Sequence, residues 1–190
     1  MGSRIHPPDG GGADVTEVRL PLTREVRESL RAGDRLLLTG RVLTARDQAH
    51  RRMIEALERG EALPVNLRGE VVYYAGPSPA PAGKPAGSIG PTTSSRMDPY
   101  TPRLVEEGVA AFIGKGPRSP EVRGALLEKG AVYLVGVGGA AALLGSRVRA
   151  MRAVAYDDLG PEAVYELEVD GFPVVVAYDL AGGDVFSHLG

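Results

Sequence analysis

From Val15 the chain alternates, with Val18, Leu20 and Leu22 on one side and Arg19 and Pro21 on the other, which predicts a short half-buried strand. Pro21 has no amide proton to give a neighbour, so it confines that strand to a sheet edge. Thr23 caps a brief helix that ends near Gly33-Asp34, and the short apolar run Arg35 to Leu43 reads as a buried strand. The next helix presents Ala49, Met53, Ala56 and Leu57 on one face and stops at Gly60; a strand over Gly69 to Ala75 follows.

Periodicity vanishes between Gly76 and Gly90, where Pro77, Pro79, Pro81 and Pro85 alternate with small residues. Composition favours a linker there; a stiff, ordered functional loop is the alternative, because proline lowers the entropy lost on ordering. Val109 to Ile113 is then a strand, Ser119-Pro120-Glu121 starts a helix with Val122, Ala125 and Leu126 on its face, Gly130 stops it, and Ala131 to Val137 is the next strand. Strand, helix and strand over about thirty residues make a right-handed, parallel βαβ unit. A small-residue helix is expected after Gly138-Gly139. Val164 to Val169 and Phe172 to Tyr178 read as two strands joined by a hairpin turn at Asp170-Gly171. One parallel unit, with strands at both ends that look antiparallel, predicts a layered α/β domain with a mixed sheet.

Composition narrows the function. The 190 residues carry 22 Lys plus Arg against 24 Asp plus Glu, a formal charge of −2, so no global cationic field favours nucleic acid or anionic membranes. The absence of cysteine excludes a disulfide, a thiol nucleophile, a Cys-ligated zinc or an all-cysteine iron–sulfur site built by this chain alone. No apolar run approaches the ~20 residues that span a bilayer, and Met1 to Val15 is rich in Pro and Gly where a signal peptide would be apolar, so a soluble, cytoplasmic protein is expected. Residues 1–14 are read as disordered or, from Met1-Gly2-Ser3, as partly a cloning scar, with one domain over 15–190.

Four motifs carry candidate chemistry. Thr44-Ala45-Arg46-Asp47 has capping-box spacing, with Arg46 expected in the first helical turn and His50 one turn on. Free amides, a guanidinium and an imidazole there suit a carboxylate; a solvated basic helix end is the other reading. Gly90-Pro91-Thr92-Thr93-Ser94-Ser95-Arg96-Met97-Asp98 sets four hydroxyls before an arginine, either an anion site or an ST-turn. Ile113-Gly114-Lys115-Gly116 leaves a parallel strand where open α/β sheets bind ligands, or is a tight turn with a solvated lysine. Gly136 to Ala141 fits G-x-G-x-x-A with Asp157 and Asp158 about twenty residues on, the dinucleotide spacing. Against that reading, Gly145 breaks the helix early and the acidic pair lies in an apparent loop, which leaves a nucleotide-binding module as a rival function.

In order, Thr44-Ala45-Arg46-Asp47 with Ala49-His50, Tyr74-Ala75-Gly76-Pro77, Gly90-Pro91-Thr92-Thr93 with Arg96-Met97-Asp98, Ile113-Gly114-Lys115-Gly116 and Gly138-Gly139-Ala140-Ala141 resemble the C-terminal domain of class I fumarate hydratases. That domain is a separate β subunit in two-subunit members, and L-tartrate dehydratase β subunits share it. Ser94-Ser95 replaces the Ala-Gly or Ser-Gly common there. The resemblance implies a three-layer swivelling β/β/α domain with mixed sheets. It also implies a hydro-lyase that interconverts fumarate and L-malate, or dehydrates L-tartrate or another hydroxy-diacid. A [4Fe-4S] cluster would be held by the cysteines of a partner α subunit in an α2β2 heterotetramer. Carried over by motif, Arg46, Arg96 and Lys115 would hold substrate carboxylates and Thr92 would handle the proton, with Asp47, His50, Thr93 and Asp98 behind them and no metal ligand in this chain.

Overall fold

The computed structural model describes residues 14–136 and 141–187. The tail before Asp14 and most of the Gly136 to Ala141 motif, including the Gly138-Gly139 helix start, lie outside the described residues. Five strands, β1 (Val15–Arg19), β2 (Arg35–Thr44), β3 (Val71–Tyr73), β4 (Ala111–Gly114) and β5 (Val132–Gly136), pair with one another in chain order and in parallel. β7 (Val164–Tyr178) runs antiparallel between β5 and β6 (Val148–Ala155) and also pairs with β2 along its length. The contacts therefore close β2, β3, β4, β5 and β7 into a ring, with β1 and β6 appended at the edges.

Side-chain alternation divides the interior into two cores. Val71, Tyr73, Ala111, Ile113, Val132 and Leu134 face inward against Leu36, Leu38, Phe172, Val174 and Val176 of β2 and β7. The alternate positions Val72, Tyr74, Phe112 and Tyr133 face the helices α2 (Asp47–Glu58), α3 (Thr101–Val105) and α4 (Pro120–Lys129) through Ala49, Met53, Leu104, Val122 and Leu126. Strands β3 to β5 are covered on both faces, which explains their nearly continuous apolar sequence. The result is three layers, sheet on sheet on helices, a mixed α/β fold.

Helix ends follow local chemistry. Thr23 Oγ1 accepts the Val26 amide at 3.3 Å at the start of α1 (Arg24–Ser29), and Ser119 Oγ accepts the Val122 amide at 3.2 Å. Gly130 closes α4 at φ 73°, a left-handed conformation that costs glycine little. α1 stops at Ser29, short of Gly33-Asp34.

Three expectations are corrected and one strand is added. β1 pairs parallel with β2, although it is the edge strand that Pro21 predicted. The two C-terminal strands are one: β7 runs unbroken through Asp170-Gly171, where Leu38 pairs with Phe172 but Gly40 with Val169, so two residues oppose Thr39 in a β-bulge. Gly171 adopts φ 65° and its amide donates to Thr39 Oγ1 at 3.1 Å, so the partner strand satisfies what a hairpin would have turned around. β6 was not foreseen; its outward residues, Arg149 and Arg152 among them, dilute the apolar alternation. The stretch from Gly76 to Gly90 is the ordered loop and not the linker that composition favours, because it returns to the sheet it left. Ser78 and Ser88 bond at its base, Ala86 and Ile89 are buried, and the Ile89 carbonyl accepts the Tyr73 hydroxyl at 2.7 Å. A groove of about 470 Å³ separates its tip from β6 and α5 (Ala141–Ser146).

Candidate functional site

The sequence-derived residues converge on the carboxyl ends of three adjacent parallel strands. Arg46 follows β2 and is the N-cap residue of α2, not a first-turn residue. There is no capping box: Thr44 ends β2, and its Oγ1 accepts the Tyr165 amide at 3.1 Å. The Arg46 side chain lies on Gly76, whose absent Cβ would sit 3.1 Å from Arg46 Cδ and 2.9 Å from the Pro161 carbonyl, so only glycine admits this packing. The base of the proline loop therefore walls Arg46, while its tip reaches the other side.

Thr92 is tied to the end of β3, its amide donating to the Tyr74 carbonyl at 2.7 Å. Thr93 makes a parallel bridge to Lys115, which follows β4 and is exposed. The Lys115 amide donates to Ser94 Oγ at 3.0 Å, and the Ser94 amide to the Lys115 carbonyl at 3.0 Å. A Cβ on Gly114 would collide with Ser94 Oγ, which makes glycine necessary for this close approach. Arg96 lies in the 3₁₀ turn Ser94–Met97 and reaches Asp47, with Nε to Oδ1 at 3.1 Å and Nη2 to Oδ2 at 3.0 Å. Arg46 Nη2 stands 4.0 Å from the same Asp47 Oδ2, so one carboxylate steadies two guanidiniums. Glu162 also approaches here, accepting the Gln48 amide at 3.5 Å.

His50 does not join an anion site. It is fully buried, Nδ1 lies 2.7 Å from the Arg46 carbonyl, and its ring packs against Tyr74 and Tyr100. A carbonyl only accepts, so Nδ1 carries the proton and Nε2, which has no partner among the described residues, is left with its lone pair. Burial lowers the His50 pKa to about 4, the bond to the Arg46 carbonyl opposes that, and the Arg118 charge adds to it. The imidazole is therefore neutral near pH 7 and holds the backbone of Arg46.

Asp98 also faces away from the other candidates, accepting Arg118 Nε on Oδ1 at 2.6 Å and the Ser119 amide on Oδ2 at 2.9 Å. Arg118 escaped the sequence reading because no motif contains it. Its side chain is fully buried between the rings of Tyr74 and Tyr133, 5.1 and 5.0 Å from their centroids. Burial raises the pKa values of both tyrosines, so they remain protonated. The rival acidic pair is placed differently: Asp158 pairs with Arg52, and β7 separates β5 from β6. The second strand of a dinucleotide-binding unit would lie beside the first.

These features define a mixed α/β protein with three cations and two threonine hydroxyls beyond the ends of its parallel strands, an arrangement suited to a small anion. The chain belongs to the fumarase C-terminus family, whose profile matches residues 6–189. It is 38% identical over 180 residues to the anaerobic class I fumarate hydratase of Escherichia coli, covering 90% of this chain and 33% of that protein. It is 43% identical over 157 residues to the mitochondrial fumarate hydratase 1 of Leishmania major, covering 82% and 29%. With the putative L(+)-tartrate dehydratase subunit beta of Methanocaldococcus jannaschii the identity is 38% over 174 residues, covering 88% of this chain and 89% of that subunit. The chain thus spans about a third of the fumarate hydratases it matches and nearly all of the subunit.

Proposed function

We propose that this chain is the β subunit of a two-subunit hydro-lyase that hydrates fumarate to L-malate and runs the reverse reaction. The observation that carries the reading is the convergence of Arg46, Thr92 and Lys115 at the ends of β2, β3 and β4, with Arg96 brought to Arg46 by Asp47. Near-complete coverage of a stand-alone subunit supports the two-subunit form, and we assign it an α2β2 assembly in the cytoplasm. Among the described residues no helix is long and apolar enough to cross a membrane.

The residues here do not fit an iron–sulfur cluster. The chain has no cysteine, and the described residues contain no group of three His, Asp or Glu arranged to hold a metal. The proposed [4Fe-4S] cluster therefore belongs to the α subunit. This chain's part is electrostatic. Removing a proton next to a carboxylate builds an aci-carboxylate with added negative charge, which preorganised cations offset best where water is excluded. Arg46, Arg96 and Lys115 supply those cations. Thr92 carries the hydroxyl assigned to the proton, with Thr93 beside Lys115. An unaided threonine is a weak base, so the neighbouring cations must stabilise its alkoxide.

The same site suits L-tartrate or another hydroxy-diacid, a second reading favoured by the match to the archaeal subunit. The test is anaerobic co-production with a cysteine-bearing α subunit, followed by assays on fumarate, L-malate and L-tartrate. Activity on a dicarboxylate is expected from the complex and none from this chain alone. Turnover by the isolated chain would reject the two-subunit reading.

A further inference from the structure

A buried cation is costly unless it is paired, so Arg118 calls for a reason. Nε bonds Asp98, Nη2 bonds Thr101 Oγ1 at 2.7 Å, and Cζ lies over the rings of both Tyr74 and Tyr133. Each partner leads to the site. Asp98 ends the segment that starts at Thr92 and carries Arg96. Tyr74 holds the Thr92 amide through its carbonyl. The Tyr133 hydroxyl lies 2.7 Å from Ser94 Oγ, the acceptor of the Lys115 amide, and 2.7 Å from the Gly116 carbonyl.

We propose that Arg118 is a positioning residue for the dicarboxylate site, a buried clamp that fixes the Thr92 to Asp98 segment and the Lys115 turn in one register. The proposal rests on reading Thr92, Arg96 and Lys115 as site residues. It requires a planar fork: the guanidinium bonds Asp98 and Thr101 through two separate nitrogens, whereas a lysine keeps the charge but has a single nitrogen for both.

The test is Arg118→Lys, with two readouts. In the isolated folded chain, NMR amide resonances of Lys115 and Ser119 are expected to move, while those of the paired residues of β2 and β7 stay in place. In the complex with the α subunit, kcat/KM is expected to fall roughly 100-fold, the scale of a 1 Å misplacement. A lower melting temperature with the Lys115 and Ser119 resonances unmoved would make Arg118 a general fold brace and overturn the proposal. Moved resonances with wild-type kcat/KM would overturn the site assignment beneath it. If Arg118→Lys does not fold, Asp98→Asn serves the same two readouts, since it removes the charge that holds Arg118 and keeps an oxygen for the Ser119 amide.

Discussion

Acidification offers a direct measure of the buried imidazole. His50 has a folded-state pKa of about 4, against an ordinary value of 6.5, chiefly because burial disfavours the cation. A group depressed on folding destabilises the native state as pH falls below its unfolded pKa, because the unfolded chain then binds the proton first. Unpaired carboxylates stay largely ionised down to about pH 5, so the window from pH 7 to pH 5 isolates the histidine. Across that window the linkage integral gives a loss of about 2 kcal/mol, or roughly 1 M in the urea midpoint at an ordinary slope. The comparison is wild type against His50→Asn, whose amide nitrogen can replace Nδ1 as donor to the Arg46 carbonyl and which does not titrate. The wild-type midpoint is expected to fall and the variant's to stay nearly level. Parallel curves, or an NMR titration of His50 centred near 6.5, would refute the neutral buried imidazole and its hold on Arg46.

The other predictions address site, core and loop. Arg96→Lys in the assembled enzyme is expected to lose about 2–4 kcal/mol of transition-state stabilisation, roughly 30- to 1000-fold in kcat/KM, and an unchanged KM would end the carboxylate clamp. Thr92→Val is expected to abolish turnover while Thr92→Ser retains part of it, both still binding the α subunit; wild-type rates for Thr92→Val would remove its proton role. Met53→Ala, fully buried between α2 and the sheet, is expected to cost about 2–5 kcal/mol in denaturant unfolding. Two Gly-Ser residues inserted after Gly83, at the exposed loop tip, are expected to cost less than about 1 kcal/mol, whereas Ile89→Ala at the buried anchor resembles Met53→Ala; equal costs would contradict the anchored loop.

What could be read from sequence depended on where the information was stored. Strands β3, β4 and β5 are legible because burial on both faces leaves an apolar run with few rival explanations. β6 is not, because an edge strand exposing Arg149 and Arg152 keeps only a weak alternation. Asp170-Gly171 reads as a hairpin turn although the same dipeptide suits a bulge, and the choice is made by Thr39 on another strand, 132 positions away in the chain. At the site, the motifs announced Arg46, Thr92, Arg96 and Lys115, but not that His50 turns inward or that Asp98 serves Arg118. Those facts depend on partners that the motifs do not name together, Tyr74 and Tyr100 around His50 and Arg118 at Asp98.

The two carboxylate–arginine pairs at the carboxyl end of the Thr92 to Asp98 segment differ in a way that no motif records. Arg96 is 53% exposed in its pair with Asp47, whereas the side chain of Arg118 is 0% exposed in its pair with Asp98. Water screens the first, and such a pair contributes about 0–1 kcal/mol, so a substrate carboxylate can draw the Arg96 guanidinium from Asp47 at little cost. Breaking a buried pair by removing one charge costs about 3–5 kcal/mol, because the other ion is left unpaired in a poor solvent. The segment thus has one exchangeable contact, at Arg96, which can meet a ligand, and one fixed contact, at Asp98, which keeps it aimed. Asp47→Asn is therefore expected to cost less than about 1 kcal/mol in stability, and Asp98→Asn several times more, both read from urea midpoints at pH 7. Equal losses would show that the two pairs are energetically alike and would remove the distinction between the exchangeable and the fixed contact.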